Sequence, residues 1–345
     1  MHYQLLGPTG CRVSEICLGT MTFGEEWGYG SNFAESKKMF DTFLDAGGNF
    51  IDTANRYTEG TSEKFLGELI QSERENLVIA TKYTLFTQRN KANLSGNSRK
   101  NMVQAVESSL KRLKTDYIDL LYLHMWDQTT PVEEILRGFD DLVRSGKIIY
   151  PGISDTPAWI VAQANTMAQL RAWSSFTAYQ LEYSLIQRTA EREMIPASKA
   201  FDMSVLAWSP LGSGLLTGKY NLSSADSSEP KRLKETSLNY TERNLKIAQV
   251  VVDVAKECGY TATQVALAWM RQKNSRIIPI IGARHAEQIT DSLGCLGIKL
   301  PEEHMKKLND ISAVEMGFPH DFLNRPSVQD GVSGGMHEKI TNHRI

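Results

Sequence analysis

GNFIDTANRYTEGTSEKFLG, residues 48–67, decides the fold. Its front end, Phe50-Ile51-Asp52, is a short apolar run that stops on a carboxylate. Tyr57 follows five residues later, then a Gly-bearing turn and a helical pattern from Thr61 or Ser62. Two later runs stop the same way. Leu77-Val78-Ile79-Ala80-Thr81 ends on Lys82, and Ile118-Asp119-Leu120-Leu121-Tyr122-Leu123 ends on His124. An acid, a phenol, an amine and an imidazole therefore stand just past the ends of three successive predicted strands. In a parallel barrel those ends share one face, and that face carries the chemistry.

Working outward, strand and helix patterns alternate along the chain. A turn at Gly7-Pro8-Thr9-Gly10 predicts an N-terminal hairpin over residues 3–17. Strands are predicted at 16–20, 49–52, 77–81, 118–123, 148–153, 176–180, 204–208 and 277–281. Between and after them, helices are predicted at 34–46, 62–69, 99–112, 131–145, 158–170, 191–201, 242–257, 262–272 and 287–293. In the third of these, Met102, Val103, Val106, Leu110 and Leu113 recur at spacings of three and four. Pro131 suits the first helical position, and Gly259 suits a helix end. Eight strands, each followed by helix, spell one (β/α)8 TIM barrel, an α/β fold with the hairpin plugging its lower end. No linker splits the 345 residues into two domains. The Ser- and Asp-rich middle of the insertion after Leu211, which runs to Tyr240, offers little to a core and is expected to be a mobile excursion. The tail after Pro326 is expected to be weakly ordered.

Bulk composition narrows the function. A formal charge of -2 gives no electrostatic case for nucleic acid or an anionic membrane. No apolar run approaches the ~20 residues of a membrane span, and MHYQLLGPTG lacks the form of a secretory signal. The four cysteines, Cys11, Cys17, Cys258 and Cys295, lack metal or redox spacing and read as thiols of a cytoplasmic protein.

The four groups together suit giving a proton to a carbonyl oxygen or taking one from an alcohol. An ammonium beside the phenol is expected to lower its pKa, and Asp52 can balance a buried Lys82. His124 could share a proton with the phenol or hold a substrate oxygen in line. The set lacks a redox centre, so hydride must come from a cofactor on the same face. Singly, each residue has an ordinary reading: Asp52 as a helix cap, Lys82 as a surface amine, Tyr57 as a half-buried aromatic. A lone His124 without nearby His or Cys makes a poor metal site.

From about Leu6 to Phe322 the chain resembles the aldo-keto reductases, closest to their aryl-alcohol-dehydrogenase-like branch, through FIDTANRY, ATKY and DYIDLLYLH. The resemblance implies that Tyr57 is the general acid/base, that Lys82 and Asp52 tune it, and that His124 orients the carbonyl. It implies an NADP(H) site, preferred over NAD(H). Ser154 and Asp155 in GISD, with Gln180, would meet the nicotinamide amide, Asp155 replacing the usual asparagine. Trp208 would stack on the nicotinamide ring; Ser209, Leu211, Gly212 and Lys219 would embrace the pyrophosphate. Arg284 and Gln288 would take the 2′-phosphate and adenine, with Asp291-Ser292 standing where Glu-Asn is common. Gly19, Thr20, Met21, Gly282 and Ser292 complete the implied cofactor set. Trp27 and Trp126, in upper loops, either line an apolar substrate pocket or pack loop on loop. The implied partner is a small carbonyl compound or alcohol. An alternative within the same resemblance is a cofactor-binding regulatory subunit like those of potassium channels.

Overall fold

A computed structural model describes residues 1–221 and 236–341. Most of the Ser- and Asp-rich middle of the insertion, expected to be a mobile excursion, lies outside the described residues. The hairpin strands are β1 (Tyr3–Leu5) and β2 (Arg12–Ser14). Eight parallel strands then close a barrel: β3 (Cys17–Gly19), β4 (Phe50–Asp52), β5 (Val78–Tyr83), β6 (Ile118–Leu123), β7 (Ile148–Ser154), β8 (Ala178–Glu182), β9 (Ser204–Trp208) and β10 (Ile277–Gly282). The outer layer comprises α1 (Phe33–Asp45), α2 (Thr61–Leu69), α3 (Arg99–Leu113), α4 (Val132–Arg144), α5 (Ala158–Arg171), α6 (Met194–Ala200), α7 (Glu242–Cys258), α8 (Ala262–Lys273) and α9 (Ala286–Leu293). After them come α10 (Glu302–Ile311), α11 (His320–Leu323) and α12 (Pro326–Ser333).

The period of two along a strand divides the core. One apolar cluster fills the lumen: Phe50, Val78, Ala80, Leu120, Tyr122, Ala178, Leu206 and Ile278, with Leu6 and Val13 of the hairpin beneath them. The residues between, such as Ile51, Ile79, Leu121 and Val205, join the larger cluster under the helices. Gly152 admits the lumen ring: a Cβ there would lie 2.5 Å from Cδ1 of Tyr122. Gly67 does the same between helices, where a Cβ would sit 2.2 Å from the Arg112 carbonyl oxygen. The helix ends follow capping chemistry. Ser98 and Thr241 accept from Asn101 and Asn244, Thr261 and Gln264 form a capping box, and Gly259 adopts the left-handed turn that ends α7.

Three expectations need correction. Pro131 is the cap of α4, in extended backbone, rather than its first helical residue. The strand expected at 176–180 runs from Ala178, because the Asn165 side chain takes both the N–H and the C=O of Phe176. The helix expected from 191 begins at Met194, because a separate tight turn occupies Thr189–Glu191 and Glu193, at φ -134°, stands outside helical geometry as the cap. In the tail, α12 spans Pro326–Ser333. The segment leading to it is tied down by Arg192 on the Glu315 carbonyl and by Glu193 on His320.

Candidate active site

The alternation that fills the lumen also aims the polar groups. Asp52 is two residues past Phe50, Lys82 two past Ala80, His124 two past Tyr122, Ser154 two past Gly152, Gln180 two past Ala178 and Trp208 two past Leu206. Each therefore lies on the lumen side of its chain, at the carboxyl ends of the strands. Lys82 is the centre. Its ammonium donates to Asp52 Oδ2 at 2.5 Å, to the Thr53 carbonyl at 2.8 Å and to Tyr57 Oη at 3.1 Å. Asp52's other oxygen accepts from Gln180 Nε2 at 2.8 Å. The Tyr57 ring meets the His124 ring edge-on, with centroids 6.0 Å apart. His124 is anchored by its backbone N–H on Thr84 Oγ1 at 3.2 Å, while its Nδ1 is buried without a hydrogen-bond partner.

Burial sets the protonation states. It would lower the Lys82 pKa, but Asp52 and then Tyr57 outweigh it and hold the ammonium above its ordinary value. Burial pushes Asp52 up, against the pull of Lys82 and Gln180. Tyr57 departs from expectation: burial raises its pKa, and the lowering by Lys82, itself countered by Asp52, does not reverse this. Burial, with Lys82 adding to it, keeps His124 far below the usual imidazole range and so neutral. At neutral pH the centre therefore presents a protonated phenol and a neutral imidazole side by side.

The family model described as Aldo/keto reductase family matches residues 15–313. The chain belongs to the aldo/keto reductases. The aryl-alcohol dehydrogenase [NADP(+)] of Phanerodontia chrysosporium is 38% identical, the match covering 92% of this chain and 88% of that one. Norsolorinic acid reductase A of Aspergillus parasiticus is 37% identical over 93% of this chain and 84% of its own. The aldo-keto reductase ausK of Aspergillus calidoustus is 33% identical over 96% and 87%. These relatives support the aryl-alcohol-dehydrogenase-like branch and make the protein an oxidoreductase of small carbonyl compounds that works with a nicotinamide cofactor.

In this aldo/keto reductase the remaining expected residues form two groups. Ser154 Oγ is buried and unpartnered at the end of β7, open to a polar group brought from outside. Asp155, at φ 40°, accepts from Trp208 Nε1 at 3.0 Å through Oδ1, so the indole expected to stack is also held in place by that carboxylate. After β9 the backbone turns left-handed at Ser209, Gly212, Ser213 and Gly214, and the N–H groups of the last three are taken within the turn, by the Ser209 carbonyl, Ser209 Oγ and the Leu211 carbonyl. Leu211 is half-buried in that turn. Lys219 passes close by, its Cε 3.3 Å from where a Cβ on Gly214 would be. Across the seam of the barrel Gly19 pairs with Gly282. Arg284 follows Gly282 before α9, with no hydrogen bond or ion pair recorded for its guanidinium among the described residues. Unpartnered Ser154, together with Arg284 just before the start of α9, thus fits a dinucleotide carrying phosphate.

Other expected cofactor residues are engaged inside the fold. Gln180 holds Asp52, as above. Gln288 Oε1 accepts from the Arg284 N–H at 2.9 Å. Thr20 Oγ1 binds the Asp52 carbonyl at 3.0 Å and Ser62 Oγ at 2.8 Å. Ser292 is buried on α9, and Met21 is half-exposed beside Thr20. Asp291 accepts from Thr261 and Gln264 at the start of α8, which ties α9 to that helix. Of the two tryptophans, Trp27 lies edge-on to Tyr57 at 6.3 Å. Trp126 packs against the outer core, and no ring contact joins it to Tyr57 or His124 among the described residues. Sequence reading missed Thr53 and Thr84, which act through a backbone carbonyl and a backbone-facing hydroxyl, and their side-chain types carry no signal for either role.

Proposed function

We propose that the protein is an NADP(H)-dependent reductase of aldehydes and ketones, working reversibly on the corresponding alcohols, with Tyr57 as the proton donor. The carrying observation is the 3.1 Å hydrogen bond from Lys82 to a buried, protonated Tyr57 hydroxyl. A nicotinamide supplies or accepts the hydride when bound. Tyr57 gives its phenolic proton to the carbonyl oxygen as negative charge builds there, and the phenolate left behind is stabilised by the adjacent Lys82 ammonium. Asp52 keeps that ammonium in place, and Gln180 keeps Asp52 in place. Neutral His124 faces the same space and holds the carbonyl oxygen in line. In the reverse direction the phenolate takes the alcohol's proton.

The cofactor preference rests on charge. The 2′-phosphate of NADP(H) suits the Arg284 fork, unpaired among the described residues, just before a helix start where the macrodipole adds to the attraction. Oxidation of NADPH and NADH with a panel of aromatic and aliphatic carbonyl compounds tests the reading. Tyr57→Phe is expected to lose about 10²–10⁴ in kcat, the usual worth of a positioned acid or base, with cofactor affinity held. Near-normal turnover in that variant removes Tyr57 from the mechanism.

A further inference from the structure

At the rim beside Tyr57, two arginines share one aromatic ring. The Arg56 guanidinium carbon lies 4.4 Å from the centroid of Phe86, and that of Arg89 lies 4.5 Å from the same centroid. Arg56 comes from the turn after β4, and Arg89 and Phe86 from the long loop after β5. Two like charges so close repel, and among the described residues one acid answers them. Glu59 forms an ion pair with Arg56 and accepts from Trp27 Nε1 at 3.1 Å. The bond to Arg56 holds its carboxyl below the ordinary value, and Trp27 helps. Arg89 has no carboxylate within ion-pair distance among the described residues. One positive charge is left over, on an exposed arginine with one face of its guanidinium on Phe86.

This charge stands apart from the cofactor's phosphate candidates. Around the barrel the order is β10-β3-β4-β5-β6-β7-β8-β9, so β5 lies directly across from β9. The left-handed turn after β9 and Arg284 after β10 occupy one side, and Arg89 the other. Trp27 links the arginines to the chemistry, since its indole touches Glu59 at one edge and the Tyr57 ring at another. The chain of contacts from Tyr57 through Trp27, Glu59 and Arg56 to Phe86 and Arg89 marks one direction outward from the phenol.

We infer that Arg89, set on Phe86 beside the Arg56–Glu59 pair, recognises a carboxylate carried by an aromatic substrate at the end remote from its carbonyl. A planar guanidinium meets a carboxylate with paired, charge-assisted hydrogen bonds, and the aryl ring between the two ends packs on Trp27. The inference rests on the catalytic reading above for where the carbonyl sits.

The test compares 4-carboxybenzaldehyde with methyl 4-formylbenzoate, which has the same aryl aldehyde without the charge. Binding is read by calorimetry on the NADP+ complex, which cannot reduce the aldehyde, and turnover by NADPH oxidation. Arg89→Gln is expected to weaken the acid about tenfold in Kd and KM, the low end for a hydrogen bond to a charged group, and to leave the ester unchanged. Arg89→Lys should recover part of the loss, and added salt should shrink the difference. Equal effects on acid and ester, or no effect on either, overturn the inference. A failure of the Tyr57 assignment appears elsewhere: Tyr57→Phe would keep its turnover while the binding comparison stood unaltered.

Discussion

Lys82 is held by three oxygens in a space that is almost closed to water, its side chain 0% exposed against 4% for Asp52. Neither charge can relax into solvent, so removing one strands the other. Lys82→Met keeps the length of the side chain and removes its charge. Chemical denaturation at pH 7 is expected to show a loss of ~3–5 kcal/mol, as for other broken buried pairs, together with lost turnover. The penalty should ease towards acid pH, because a solitary buried Asp52 can protonate. Unchanged stability would show the pair to be solvated. Arg284 makes the opposite case, a half-buried cation whose proposed work lies with a ligand. Arg284→Ala is expected to weaken NADPH by ~1.5–3 kcal/mol while barely changing NADH or stability. Equal weakening of both cofactors, measured by fluorescence titration, would move Arg284 to the adenine or the pyrophosphate.

At the scale of elements, the loops above the barrel matter as much as the strands. Asp127, in the loop after β6, accepts from the N–H groups of Asn97, Thr129 and Thr130 and from Thr130 Oγ1, all at 2.7–2.9 Å. It joins its own turn to the end of the loop that carries Phe86 and Arg89. Burial works against its charge, yet these donors hold its pKa at about 2, below the ordinary 3.8. A depressed carboxyl contributes stability above its unfolded pKa and loses that contribution as pH falls through the folded value. Asp127→Ala should therefore be less stable than the wild type at pH 7, and the gap should narrow between about pH 4 and pH 2. A gap that stays constant across that window, followed by urea denaturation, would mean that the lost contacts are steric and not ionic. The same loops mark where sequence reading stopped short. Trp27 and Trp126 look alike as aromatic loop residues, but only the first reaches Tyr57. The partners that separate them, Glu59 for one and the outer core for the other, are set by three-dimensional packing.

The whole molecule divides into a face for stability and a face for chemistry. Leu6 and Val13 of the hairpin are fully buried beneath Phe50, Leu120 and Leu206, at the end of the lumen away from Lys82. Leu6→Ala should cost ~2–5 kcal/mol, the range for a core leucine that leaves a cavity. The kcat of the folded protein should hold, since the plug and the tetrad sit at opposite ends; a parallel fall in kcat would couple the two ends. The barrel and its polar mouth were legible from the chain alone because both follow from a period of two. Alternating apolar residues choose the lumen, and a polar residue two positions past the last of them must emerge at its mouth, as Asp52, Lys82 and His124 do. Residues adjacent in sequence sufficed for that. The protonation of Tyr57 was not legible, since burial competes with the charge of Lys82 and the depth of the site belongs to the assembled barrel. Nor was the bond from Gln180 to Asp52, which joins residues 128 apart. Only closure of the strands brings those side chains within hydrogen-bonding range, and only there does the loss of water decide which charges persist.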